Sequence, residues 1–299
     1  MIIAHTFPKK IAYCISVPIL QMEGSFMNLA LLLVLSIIFF ITDTVPPQLK
    51  TSHKPKVIAH RGASGYAPEH TFAAFNKAIE QQADYIEADI QMTKDGELIL
   101  IHDPTVTRTS NGHGTVMNMT LQEIRRLDAG SWFNPYLYHT ETIPTLQQFL
   151  RKYAGKIGLL LELKDPVLYP GIESALADQL KKHHLHEQGD HSIIVQSFDA
   201  QSIKKFHSLL PAVPTGFLTS VTLDDTKLAT LAKYCKYINP NQFIASSDLL
   251  TRIKAHDCNS FVWTINSVDA YNRVANLHVD GIITDYPDYF SSTSSLSYS

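Results

Sequence analysis

Cysteine is nearly absent: Cys14, Cys235 and Cys258 are the only three among 299 residues, and none stands at a metal-ligating or disulfide-framework spacing. A zinc ribbon and a cross-linked mini-scaffold are thereby excluded. Charge is sparse too, with 18% of residues charged and a formal net charge of −3, and Lys and Arg form no more than short pairs. A nucleic-acid surface needs a basic stripe to neutralise phosphates, so that class of partner is set aside. Long apolar runs are also missing. The greasiest stretch, residues 29–41 in "NLALLLVLSIIFFIT", is thirteen residues long and broken only by Ser36. That is short of the ~20 residues that span a bilayer and fits the ~7–15 of a signal-peptide core.

The downstream "TDTVPPQLKTSHKPK" has no A-x-A-like cleavage site, so residues 27–42 read equally as a removed signal or a retained anchor. Either reading places the rest of the chain at a membrane or outside the cytoplasm. Lysines on both sides leave the orientation open. Met27, directly before the apolar run, reads as a start, with residues 1–26 an over-called extension; the other reading is a two-part membrane hairpin that uses "IAYCISVPILQM". Pro46, Pro47 and Pro55 mark a linker over 43–55. The folded domain is expected over 56–290, where the 45% hydrophobic composition of the chain suffices for a sizeable core, and the Ser-rich 291–299 reads as a disordered tail.

Within that domain, eight short apolar runs recur: "KVIAH", "DYIEAD", "LILIH", "IGLLLEL", "SIIVQS", "PTGFL", "SFVWTI" and "DGIIT". Most are continuous, the pattern of strands buried on both faces of a parallel sheet. Helix-like segments at 71–82, 171–183, 199–210 and 267–278 lie between them. About eight alternations point to an α/β fold of the (β/α)8 TIM-barrel type, with an open doubly wound sheet as the runner-up. "KYINPN" (236–241) is either a ninth short strand or the true seventh. More than fifty residues separate Asp103 from the strand at 157, so residues about 104–156 read as an insertion after the third strand. It carries a glycine-rich turn, "TSNGHGT", and a capping box at Thr120 and Glu123. Such an insertion either shapes the substrate side of a site or merely decorates the barrel.

Polar residues end these greasy runs. His60, Glu87, Asp89, His102, Glu162 and Lys164 follow apolar residues at expected strand C-termini, where barrel enzymes place their chemistry. Residues i and i+2 share a strand face, so Glu87 with Asp89, and Glu162 with Lys164, would converge on one mouth. Three carboxylates held together call for a cation, and all-oxygen ligation favours calcium or magnesium over zinc. The plainer reading is ion pairing, Lys164 with Glu162 and Arg61 with Asp89. His60 and His102 could serve as a general base and a general acid, and Arg61 beside them suits phosphate oxygens.

The strings "AHRGASGYAPEHTFAAFNKAI", "IEADIQMTKDGELILIHDPTVTRTSNGHG", "LELK", "QSF", "WTIN" and "DGIITDYP" closely resemble the glycerophosphodiester phosphodiesterase family over about residues 56–290. The resemblance implies a phospholipase-C-like phosphodiesterase barrel that uses a divalent cation, Ca2+ or Mg2+, to hydrolyse glycerophosphodiesters to sn-glycerol 3-phosphate and an alcohol. It implies Glu87, Asp89 and Glu162 as metal ligands, with Glu69 near the metal. His60 and His102 would be the acid–base pair, Arg61 and Lys164 would neutralise the phosphate, and Trp263 would line the glycerol side. One departure stands out: His70 occupies the place where the family usually has asparagine, in Pro68-Glu69-His70-Thr71. The rival on the same barrel is a phospholipase D-like or phosphoinositide lyase activity on intact lipid, to which a membrane-attached segment at 29–41 lends interest. The small-molecule substrate is the expected partner, and the sequence leaves the oligomeric state open.

Overall fold

The computed structural model describes residues 54–187 and 193–291. The expectations for residues 1–42, for most of the linker and for the tail beyond Ser291 lie outside the described residues. Eight parallel strands build the barrel: β1 (Lys56–Ala59), β2 (Tyr85–Met92), β4 (Gly158–Leu163), β5 (Ile193–Ser197), β6 (Thr215–Thr219), β7 (Tyr237–Pro240), β8 (Phe261–Val262) and β9 (Gly281–Thr284). They run in the order β7-β6-β5-β4-β2-β1-β9-β8. The circle closes through parallel bridges from Tyr237 to Asn259 and from Asn241 to Trp263. "KYINPN" is thus the strand before the closing seam.

One expectation is corrected. "LILIH" contributes no barrel strand: β3 (Leu98–Leu100) turns back antiparallel on the end of β2, pairing Leu100 with Ile90 and Leu98 with Met92. The turn that reverses it, "TKDGE", has Gly96 at φ +83°, a conformation open to glycine at little cost. A short apolar run does not distinguish a hairpin return from a buried parallel strand. The insertion therefore separates the second and third barrel strands. It has its own small core, made of Ile99, Ile101, Val106, Val116, Ile124, Ala129 and Ile143.

Helices clothe the barrel: α1 (Phe72–Glu80), then α2 (Leu121–Ile124) and α3 (Pro135–Tyr138) in the insertion, α4 (Leu146–Tyr153), α5 (Ile172–Lys182), α6 (Ala200–Leu209), α7 (Asp225–Leu231), α8 (Ser247–Ala255) and α9 (Val268–Ala275). The box at α2 forms as expected, Thr120 accepting from the Glu123 N–H while Glu123 accepts from the Thr120 N–H. Strand alternation then sorts side chains between two compartments. In β4, Leu159, Leu161 and Leu163 face the helices in the main core, while Leu160 joins Ile58, Ile194, Phe261 and Ile283 inside the barrel. Each fully buried leucine is worth roughly 1.5–3 kcal/mol, so the outward set fixes the register and leaves the inward positions to be spent on chemistry. Two residues beyond the interior Leu160 comes Glu162, and two beyond Ile58 comes His60.

Gly158 makes room for the barrel floor: a Cβ there would run into the Tyr85 ring. Gly158→Ala is expected to destabilise the barrel by about 1–3 kcal/mol through overpacking. A urea melt should show a lower midpoint at unchanged slope, and an unaltered midpoint would refute this account of the floor.

Candidate active site

Where the strands end, a cleft of about 250 Å³ opens. His60, Arg61, Glu87, Asp89, His102, Glu162, Lys164 and Trp263 all line it, so eight of the nine residues singled out in the sequence share one cavity. Phe198, Leu218 and Ile283 give it an apolar side, and the Phe198 ring meets Trp263 edge-on at 5.4 Å. The ninth, Glu69, stands behind Arg61 and accepts from its Nη1 at 2.9 Å.

Adjacent strands set the acidic group. Asp89 and Glu162 are register partners of β2 and β4, and Glu87 lies on the same face of β2 as Asp89. All three are buried. The expected ion pairs form as well: Lys164 Nζ lies 3.1 Å from Glu162 and 3.8 Å from Asp89, and Arg61 Nε lies 3.4 Å from Asp89. They do not satisfy the cluster. Asp89 Oδ2 is buried with no hydrogen-bond partner. Burial and the negative charge of Asp89 push Glu162 up to about 8, and burial with Asp89 and Glu162 raises Glu87 well above the carboxylate range. A buried oxygen that accepts no hydrogen bond and two carboxyls that resist ionisation fit a hard divalent cation held by oxygen donors. His70 also brings a nitrogen into this neighbourhood, its ligand atom and those of Glu87 and Asp89 lying within 4.8 Å of one another.

Each histidine has a carboxylate behind it. His60 Nδ1 is 2.6 Å from Asp285 Oδ1, and Asp285 also accepts from Ser64 Oγ at 3.0 Å and from Asn266 Nδ2 at 2.6 Å. His102 Nδ1 is 2.7 Å from Asp103 Oδ1. An ionised carboxylate only accepts, so in both rings Nδ1 carries the proton and Nε2 is left for the cleft. Burial lowers the His102 imidazole below its ordinary value, and Arg61 works in the same direction.

His102 does not end a barrel strand, the place its sequence pattern predicts, but follows the hairpin strand β3. Gln91 replaces the missing strand as its support. Its amide nitrogen donates toward the carbonyls of Ile101, His102 and Asp103 at 2.7–3.0 Å, and the Tyr169 hydroxyl donates to its oxygen. Arg108 completes the brace, gripping Asp103 at 2.7 and 3.0 Å and Glu69 at 2.8 and 2.9 Å. Asp285, Asp103, Arg108 and Gln91 were given no role from sequence. The adjacency of His102 and Asp103, and the placing of Asp285 directly after β9, were the available signals.

The arrangement has close relatives. A profile of the glycerophosphoryl diester phosphodiesterase family matches residues 60–289. A glycerophosphodiester phosphodiesterase of Bacillus subtilis is 38% identical over 248 residues, covering 78% of this chain and 84% of its own. One from Caldanaerobacter subterraneus is 38% identical over 237 residues, covering 79% and 96%. Among solved structures, an Oleispira antarctica phosphodiesterase in complex with the product sn-glycerol-3-phosphate is similar at a TM-score of 0.72 and 31% identity, covering 79% of this chain and 95% of its own.

Two outcomes are expected. Asp285→Asn should lower kcat by about 10²–10⁴-fold with little change in KM, because His60 loses its fixed tautomer; near-normal kcat in steady-state assays would remove Asp285 from this role. Glu69 carries the second. Burial opposes its ionisation, but hydrogen bonds from Arg108 and the charge of Arg61 bring it from 4.5 down to about 2. A depressed carboxyl adds stability that is complete above its unfolded value and is lost as pH falls through the folded one. The shift corresponds to about 3 kcal/mol. Urea melts of wild type and Glu69→Gln should differ by that order at pH 6 and converge as pH drops below 4.5 toward 2; a gap unchanged with pH would contradict it.

Proposed function

The chain belongs to the glycerophosphodiester phosphodiesterase family and hydrolyses glycerophosphodiesters; from that premise we propose how its residues divide the work. Glu87, Asp89 and Glu162 hold a divalent cation, Ca2+ or Mg2+, with Glu69 steadying Arg61 beside it. When bound, the cation supplies Lewis acidity at a phosphate oxygen. Arg61 and Lys164 neutralise the remaining phosphate charge, Arg61 through its planar fork. Lys164 is suited to this because Glu162 and Asp89 hold it above its usual value, against a burial that would lower it.

His60 and His102 exchange protons through Nε2. One takes the proton of the attacking water or 2-hydroxyl while the other, entering as an imidazolium, gives one to the leaving alcohol; where the 2-hydroxyl attacks, water then opens the cyclic phosphate, so both routes end in sn-glycerol 3-phosphate and that alcohol. The carrying observation is the pair of dyads, His60 with Asp285 and His102 with Asp103, opening on the cleft that holds the three carboxylates. Trp263 is placed for the glycerol carbons: its indole Nε1–H is engaged by the Asn239 carbonyl at 2.8 Å, which fixes the ring beside the cleft. The attacking oxygen is that of water or of the substrate's own 2-hydroxyl. Trapping a cyclic phosphate by rapid quench separates these routes.

Among the described residues no helix is long and apolar enough to cross a membrane. The apolar segment at 29–41 would carry the barrel to the membrane or beyond the cytoplasm.

The test uses the full-length chain treated with chelator and assayed for release of glycerol 3-phosphate from glycerophosphocholine. Activity should vanish and return with magnesium or calcium. His60→Ala and His102→Ala should each lose about 10²-fold or more in kcat without a change in melting temperature. Undiminished turnover in chelator refutes the cation, and a fully active His60→Ala or His102→Ala variant refutes the acid–base pair. Cleavage of a lysophospholipid or phosphoinositide in place of glycerophosphocholine would transfer the function to intact lipid.

A further inference from the structure

We infer that His70 is a positioning residue that holds Asp89 at the cleft through the Asp89 backbone N–H, and that it is not a ligand of the cation. This rests on the reading of Glu87, Asp89 and Glu162 as the cation's donors.

The need for His70 arises in the sheet. β1 pairs with β2 only through Ile58 with Tyr85 and Ala59 with Ile86, so it has ended before β2 reaches Asp89. The Ile90 carbonyl is taken by the Lys164 N–H on the β4 side, and the Asp89 carbonyl by the Ile101 N–H on the other. On that side the Asp89 N–H has no strand to bond, and a buried N–H demands an acceptor. His70 Nε2 supplies it at 3.0 Å. The backbone N–H of His70 in turn donates to the Arg61 carbonyl at 3.1 Å, so one residue ties the loop after β1 to the end of β2. Its own backbone stands at φ +57°, in the left-handed region that asparagine and histidine tolerate better than most residues. The asparagine usual in the resembling family could present a side-chain oxygen to the same N–H.

Proximity alone makes His70 resemble a ligand, since Nε2 also lies 3.3 Å from Asp89 Oδ2. The lone pairs argue otherwise. Nε2 spends its lone pair on the Asp89 N–H, so Nδ1 carries the ring proton, and Nδ1 is buried with no hydrogen-bond partner. Neither nitrogen has a free pair for a metal. His70 is 4% exposed, packed edge-on against Phe75, and does not line the cleft. The donor set stays all oxygen, which selects magnesium or calcium over zinc.

The full-length chain and its His70→Asn and His70→Ala variants should be titrated with magnesium by calorimetry in the absence of substrate, and the wild-type ring nitrogens followed by ¹⁵N NMR with labelled histidine. His70→Asn is expected to keep the magnesium affinity within about threefold, while His70→Ala weakens it about tenfold or more, the usual effect of removing a group that orients a ligand. In the wild type Nδ1 should be protonated and Nε2 bare, with neither resonance displaced when magnesium or zinc is added. Loss of affinity in His70→Asn equal to that in His70→Ala overturns the inference, as does a cation-induced displacement of Nε2 or a proton found on it. Should the wild type bind no cation, the donor reading fails by itself, and the tautomer still decides whether His70 accepts from Asp89.

Discussion

Glu87, Asp89 and Glu162 crowd three carboxyls into the buried mouth of a barrel, where they resist ionising together, and the surroundings are organised around that crowding. Neighbouring strands lie about 4.8 Å apart, and two unit charges at such a separation repel by roughly 3 kcal/mol at an effective dielectric near 20. The barrel tolerates this because its stability comes from elsewhere. The outward Leu159, Leu161 and Leu163 bury completely against the helices, and Leu160 fills the floor below Glu162. Apolar alternation thus supports a polar layer that would not hold itself together. Lys164 and Arg61 offset part of the repulsion, and the remainder is what the proposed cation would relieve.

Two histidines reach the cleft on unlike supports and are restrained in the same manner. His60 extends barrel strand β1, and its carboxylate partner comes from the far end of the chain, because β9 pairs with β1 and delivers Asp285 beside it. His102 is carried by a hairpin, with its carboxylate next in sequence, so its fixation must be imported. Gln91 holds the turn and Arg108 holds Asp103. The first dyad is a product of barrel closure and the second of local bracing.

The sequence exposed the parts of this arrangement that obey periodicity. Runs such as "GLLLEL" declare a doubly buried strand, and the i, i+2 spacing of Glu87 with Asp89 and of Glu162 with Lys164 declares a shared face. What it concealed depends on pairing between distant strands or on turns. "LILIH" has the composition of a barrel strand and becomes a hairpin return because Gly96 reverses the chain. Asp285 gains its meaning only from the β1–β9 register. Gln91 continues the inward alternation of Glu87 and Asp89, so its direction was readable, but its contact with the His102 turn was not. His70 was noticed as a departure, and its bond to the Asp89 N–H follows from where β1 stops.

Arg108 bears on why the insertion lies where it does. Residues 104–143 fold around a core of their own that includes Ile99 of the hairpin, while α4 that follows packs into the main core, so the segment could have been an ornament on the rim. Its guanidinium reaches out of that small unit to two carboxylates at once: Asp103, which fixes His102, and Glu69, which also takes the Arg61 guanidinium. Glu69 is thereby shared by two arginines, one lining the cleft and one in the insertion. A shift of the inserted unit would release Asp103 and Glu69 together, loosening a histidine and an arginine on different elements. That shared anchorage makes the insertion part of the site's framework, since the rigidity of His102 is borrowed from the core beneath Arg108.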